Sequence, residues 1–272
     1  MSLHLTEARA PLTERILAYD ERGLAQEVSI PAERPLTVYV DKAELVTLMT
    51  MGQRPEWLVL GYLRNQRLVR DLAELVSITV DWDVDAAAVR TRDGIADLAE
   101  RTARKVVTTG CGQGSVFGSL MDDVDRIELP PTRVAQQRVH QIVEAMRLQE
   151  STYKSAGSVH GCALFVDGRM RVFVEDVGRH NAIDTIAGWM WLHDDASGDA
   201  ERVFYTTGRL TSEMLIKAAQ MRVPVVISRS GITQMGQAIA ARLGLCAIGR
   251  ALHQRYLCYA GRERLIGQGA EA

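Results

Sequence analysis

FVEDVGRHNAIDTIAGWMWL, residues 173–192, reads as a strand that runs through a glycine turn at Gly178 straight into a helix. Two further segments repeat that order: VFYTTGRLTSEMLIKAAQM at 203–221 and VVISRSGITQMGQAIAARLG at 225–244. Upstream, the apolar runs GCALFV and MRVFVED are joined by Asp167-Gly168, a dipeptide suited to a two-residue hairpin turn. A helix is expected over PTRVAQQRVHQIVEAMRLQ, with Val139, Ile142, Val143 and Met146 on one face. CAIG and RYLCYA supply the last strands. A hairpin feeding strand-to-helix units predicts an α/β fold with a mixed sheet and helices packed on its faces.

Toward the N-terminus the pattern changes to a β-rich part with one helix. EVSIP, PLTVYV and ELVSITVDWDV have strand character, and PEWLVLGYLRNQRL places apolar residues at helical spacing behind a proline suited to a first helical position. DGIADLAERTARK is expected to be a short helix or an exposed excursion. TTGCGQGSVFGSLMDD then puts four glycines between Gly110 and Leu120, which predicts a flexible loop. The expected organisation is 1–107 for the β-rich part, 108–130 for a glycine-rich mobile loop, and 131–265 for the α/β domain.

Composition narrows the function. Of 272 residues, 32 are Lys or Arg and 34 are Asp or Glu, a formal charge of -2, so a broad basic surface for nucleic acid or anionic membrane is not expected. Hydrophobic residues make up 47%, yet no apolar run reaches the length of a membrane span and the first 25 residues hold no signal-like core. A cytoplasmic protein is expected. Of the four cysteines, Cys162, Cys246 and Cys258 sit among aliphatic residues and read as small core hydrophobes. None of the four forms a CxxC or has a histidine at ligand spacing, so no zinc site is expected.

Parallel α/β sheets collect ligands at the carboxyl ends of their strands. Three such junctions carry the same chemistry: Gly178-Arg179-His180-Asn181; Gly208-Arg209 with Ser212 and Glu213; and Ser228-Arg229-Ser230-Gly231 with Thr233. Glycine admits a ligand to the backbone, and arginine offers a planar fork suited to phosphate. Together they predict an anionic, phosphate-bearing ligand. The same residues also serve as turns and caps, Thr211 and Thr233 as N-caps among them. His180 is suited to hydrogen bonding or acid–base work at a helix start. His160 joins it only if the hairpin brings it to the same sheet end. Cys111, between Gly110 and Gly112, has no apolar neighbours to bury it and is a candidate nucleophile or sulfur acceptor.

These blocks resemble a known family, the formate dehydrogenase accessory sulfurtransferases, FdhD. EDVGRHNAIDTIAG is similar to that family's EDxGRHNAxDKxxG, TTGRLTSEMLIKAA to its TGRxSxEMxxKxA, and VVISRSGITQMGQAIAARLG to its strand-Ser-x-Ser-x-x-Thr helix. LTVYVDKAELVTLMTMGQRPEWLVLGYLRNQRLV resembles its early strand-turn-helix motif. The resemblance implies a cytidine-deaminase-like α/β domain without zinc, plus a smaller β-containing N-terminal domain. It implies a sulfur carrier that takes sulfane sulfur from a cysteine desulfurase as a persulfide and passes it to the molybdenum bis(molybdopterin guanine dinucleotide) cofactor of the formate dehydrogenase catalytic subunit. Free GDP-like nucleotides are then further candidate ligands. Cys111 would carry the sulfur. The cofactor would be held by Gly178, Arg179, His180, Asn181, Gly208, Arg209, Ser212, Ser228 and Ser230, with Arg250, Ala251, Leu252, His253, Gln254 and Arg255 as the family's C-terminal cofactor-contacting segment. A homodimer is compatible with the resemblance and with the apolar WMWL segment around Trp189 and Trp191.

One departure bears on mechanism. Where the family carries CGxCG, this chain reads Cys111-Gly112-Gln113-Gly114-Ser115, with one thiol only. Thr185 stands where the family often has lysine, and Ser158 and Gly161 alter the motif around His160. A cofactor-binding chaperone that transfers no sulfur is therefore the second expectation. A nucleotide-modifying enzyme is a weaker third, because no zinc-ligand set with a neighbouring glutamate is visible.

Overall fold

The computed structural model describes residues 3–95, 98, 126–193 and 200–267. Cys111 and most of the glycine-rich segment lie outside the described residues, as does most of 93–105.

The N-terminal lobe contains β1 (His4–Leu5), β2 (Thr13–Tyr19), β3 (Ala25–Pro31), β4 (Arg34–Val40), β5 (Ala43–Thr50), α1 (Pro55–Asn65), β6 (Leu75–Asp81) and β7 (Ala86–Thr91). Five strands form one sheet in the order β1-β6-β7-β4-β5, while β2 and β3 pair only with each other. Pro55 sits in the first turn of α1, as expected. This helix is buried nearly all round, because it is sandwiched between the sheet and a helix of the second lobe.

The second lobe follows with β8 (Val134–Ala135), α2 (Gln136–Leu148), α3 (Thr152–Ala156), β9 (His160–Val166), β10 (Arg169–Asp176), α4 (Arg179–His193), β11 (Arg202–Thr206), α5 (Ser212–Gln220), β12 (Val225–Ser228), α6 (Gln234–Leu243), β13 (Cys246–Leu252), β14 (Arg255–Ala260) and β15 (Leu265–Ile266). Six strands make a mixed sheet in the order β10-β9-β11-β12-β13-β14, parallel only across β11-β12-β13. Asp167 and Gly168 both take positive φ, 49° and 74°, the conformation that lets a two-residue turn follow the twist of its strands. The fold is thus α/β with a mixed sheet, flanking helices and a β-containing N-terminal part.

Apolar residues cover both faces of this sheet. Val139, Ile142 and Val143 of α2 pack on Ala163, Phe165, Val203, Val225 and Ile248, whereas α4, α5 and α6 cover Cys162, Leu164, Phe204, Val226 and Ala247 on the other side. The first of these helices starts later than its sequence suggests: Val134 and Ala135 form a short strand parallel to Leu265 and Ile266, and helical geometry begins only after them.

Candidate functional site

Strand direction brings the expected residues to one end of the sheet. β10 and β11 both run antiparallel to β9, with Asp176 opposite His160 and Thr206 opposite Cys162. The start of β9 therefore lies beside the carboxyl ends of β10 and β11, and the hairpin does place His160 with the glycine-arginine junctions. β12 and β13 run parallel to β11, so Ser228 and Arg250 reach the same end. The Arg250 amide donates to Ser230 O at 2.7 Å, which fastens the last part of β13 to the β12 junction.

Cations dominate this end. Burial, together with Arg179 and Arg209, holds the half-buried His160 below the ordinary histidine range. His180 is more deeply placed, and burial with Lys217 and Arg179 pushes its imidazole down to about 2. It is neutral at physiological pH, with Nε2 3.4 Å from Glu213 Oε2. The side chain of Arg179 lies against Gly208: a Cβ there would stand 3.1 Å from Arg179 Cδ, so glycine lets the arginine stem pass close to the backbone. Arg209 and Arg229 are exposed.

Other candidates have structural partners. Ser228 Oγ donates to Gly208 O at 2.6 Å and accepts from the Ser230 amide at 2.9 Å, cross-linking two junctions. Asn181 Nδ2 donates to Met49 O at 2.6 Å and to Asp176 Oδ1 at 2.9 Å. Asp176 also accepts from the amides of Met51 and Gly178, so the EDxGRHN block ties the two lobes together. Ser212 begins α5, and Thr233 caps α6 by accepting from the Gly236 amide. Thr211 makes no side-chain capping bond.

A buried charge network lies beneath, and the sequence reading missed it. Lys217 Nζ is 2.8 Å from Asp184 Oδ2 and 3.4 Å from Glu213 Oε1, and Asn65 of α1 donates to Asp184 Oδ1 at 2.7 Å. Burial opposes the charge on Lys217, but Asp184 and Glu213 together hold its ammonium above the ordinary range. The signal available was Glu213 and Lys217 at i,i+4 on a helix otherwise free of charge.

The C-terminal segment has its own setting. Arg250, Leu252, His253, Gln254 and Arg255 line an open groove of about 1770 Å³ facing Gln136, Gln137, His140 and Glu144 of α2. Ala251 is instead buried in the layer beneath that helix. Arg250 and His253 hold left-handed backbone at φ 51° and 54°, which shapes the turn. Among the described residues, no cluster of three or more metal-ligating side chains is found, and no helix is long and apolar enough to cross a membrane.

The mixed α/β sheet thus gathers arginines and histidines at one end of its parallel strands, the edge at which such sheets commonly meet ligands. The protein's family can be stated as well. The FdhD/NarQ family model matches residues 31–266, and the chain belongs to that family. The sulfur carrier protein FdhD of Bacillus licheniformis is 29% identical over 255 residues, covering 93% of this chain and 96% of that protein. Its counterpart in Bacillus subtilis is 30% identical over 239 residues, covering 86% and 88%, and that in Listeria innocua 28% over 250 residues, covering 90% and 95%. A crystal structure assigned to a formate dehydrogenase accessory protein from Desulfotalea psychrophila superimposes with a TM-score of 0.74 at 23% identity, covering 94% of this chain and 100% of that one, a likeness of fold.

Proposed function

We propose that this protein is a cytoplasmic sulfur carrier for formate dehydrogenase maturation. It accepts sulfane sulfur from a cysteine desulfurase as a persulfide on Cys111 and passes it to the molybdenum bis(molybdopterin guanine dinucleotide) cofactor destined for the formate dehydrogenase catalytic subunit. The observation that carries this reading is the gathering of His160, Arg179 and Arg209 at the Gly208 end of the sheet, with Arg250 fastened to the same edge. Phosphates of a guanine dinucleotide suit such cations, and neutral His160 and His180 add hydrogen-bonding capacity without charge.

Incubation with a desulfurase and labelled cysteine tests the sulfur step. The expected result is one added sulfur atom on the tryptic peptide 106–126, lost in Cys111→Ala. A Cys111→Ala protein that still supports full formate dehydrogenase maturation would overturn it. Gly114, at the position of the family's second loop cysteine, favours one competing reading: a chaperone that presents the cofactor without moving sulfur. Cofactor binding with no persulfide on Cys111 is the outcome that selects it.

A further inference from the structure

His180 and Glu213 are each the second residue of a helix, α4 and α5, and their side chains meet near the start of both. His180 Nε2 stands 3.4 Å from Glu213 Oε2, and each residue is only 5% exposed. The contact is longer than a full hydrogen bond, and Nε2 reaches no other partner among the described residues. On its far side Glu213 Oε1 lies 3.4 Å from Lys217 Nζ, which lies 2.8 Å from Asp184 Oδ2. Asp184 Oδ1 in turn accepts from Asn65 of α1 at 2.7 Å. The carboxylate facing the imidazole is thus backed by a buried ammonium that is itself anchored.

This arrangement fixes where the histidine proton sits. A neutral imidazole carries it on either Nδ1 or Nε2. A lone pair on Nε2 would oppose those of Glu213 in a site closed to water, whereas an N–H there is attracted to them. Protonation of both nitrogens is disfavoured by burial, with Lys217 and Arg179 nearby and the ring at a helix N-terminus. The proton therefore belongs on Nε2, and Nδ1 keeps the free lone pair. At an edge otherwise furnished with arginine donors, His180 is an acceptor.

We propose that Glu213 is a positioning residue that holds His180 in the Nε2–H tautomer, so that Nδ1 accepts a hydrogen bond from an N–H or O–H group of the bound ligand. Naming that ligand as a guanine nucleotide rests on the reading given under Proposed function; the tautomer does not. A guanine nucleotide offers such groups on its base and its ribose, and its phosphates are left to the arginines. A ligand presenting only phosphate oxygens to Nδ1 would meet a lone pair and gain nothing from it.

The test is nitrogen NMR on the full-length protein carrying isotope-labelled histidine, with the His180 signals assigned by their loss in His180→Gln. At pH 7 the expected pattern is a protonated, pyrrole-type Nε2 and an unprotonated, pyridine-type Nδ1. Glu213→Gln keeps an oxygen toward the ring and should preserve that pattern. Glu213→Leu leaves Lys217 its partner Asp184 and should give a mixture of tautomers. GDP, but not inorganic pyrophosphate, should move the Nδ1 signal away from its pyridine-type position. Ribose 5-phosphate reproducing the movement assigns the donor to the sugar, and GDP alone producing it assigns the donor to the base. A proton on Nδ1 in the parent protein, or an unchanged tautomer in folded Glu213→Leu, overturns the role of Glu213. GDP that leaves Nδ1 unmoved, or pyrophosphate that moves it equally, overturns the acceptor role. Calorimetric binding of GDP in that case shows that the cofactor reading survives, and an absence of persulfide on Cys111 overturns the sulfur reading without touching the tautomer.

Discussion

Gly61 and Gly188 bring α1 and α4 into backbone contact, and so weld the two lobes. A Cβ on Gly61 would stand 1.7 Å from Asp184 O, and one on Gly188 would stand 2.0 Å from Trp57 O and 3.0 Å from Gly61 N. Alanine in place of a free helical glycine stabilises by about 0.5–1 kcal/mol. Here the sign should reverse. Gly61→Ala and Gly188→Ala should each destabilise by about 1–3 kcal/mol through overpacking, read as a lowered midpoint in thermal or denaturant unfolding.

Lys217 is fully buried between Asp184 and Glu213. Lys217→Met would leave two carboxylates facing each other without a cation, a change expected to cost about 3–5 kcal/mol. Adding Asp184→Asn removes one of the stranded charges and should recover part of that loss. Equilibrium unfolding of the single and double variants checks both values. A double variant no more stable than the single one would show that the charges do not act as a unit.

Local signals were legible where local geometry decides the outcome. Asp167-Gly168 reads as a hairpin because both residues tolerate positive φ, and the three strand-to-helix units read from their alternation of apolar strand and glycine-headed helix. Elements set by distant partners were not. The alanine-rich AAAVRT of β7 has weak strand character, and it becomes a strand because β4 and β6 flank it. In TSEMLIKAA, Lys217 looks like one half of a solvated i,i+4 pair, and only Asp184 from α4 reveals its burial. The same holds at the sheet end: Asn181 reads as a ligand residue by its place after Arg179 and His180, yet its amide reaches Met49 across the lobe boundary.

His180 should make the protein acid-sensitive. Its folded value is about 2 against an ordinary 6.5, so between those limits the unfolded chain binds a proton that the folded chain refuses. Stability therefore falls as pH drops below 6.5, approaching about 1.4 kcal/mol per pH unit once the unfolded imidazole is protonated. Asp176 and Asp184, raised by burial, act in the opposite sense above 3.8, where the folded carboxyls keep protons that the unfolded ones release. Denaturant midpoints between pH 7 and 5 for the protein and for His180→Gln isolate the histidine. The variant should show the shallower pH slope, whatever its stability at pH 7, and equal slopes would refute the assignment.

Arg209 and Ser228 occupy adjacent junctions but should fail in different ways. Arg209 is exposed, and its charge is felt at His160, so it is free to meet a ligand. Ser228 is fully buried and spends its hydroxyl on Gly208 O and the Ser230 amide. A charge-assisted hydrogen bond contributes about 1.5–3 kcal/mol, so Arg209→Ala should weaken GDP binding by at least about tenfold and flatten its salt dependence. Its unfolding midpoint should stay close to that of the parent, because no buried group loses a partner. Ser228→Ala should instead destabilise by about 1–3 kcal/mol, since it strands the Gly208 carbonyl and the Ser230 amide. Its effect on GDP should be indirect, through a loosened junction, and a chemical change that restores stability elsewhere should restore binding. Calorimetric titration with GDP beside thermal unfolding separates the two. Equal loss of binding in both variants at unchanged stability would place Ser228 on the ligand rather than in the scaffold.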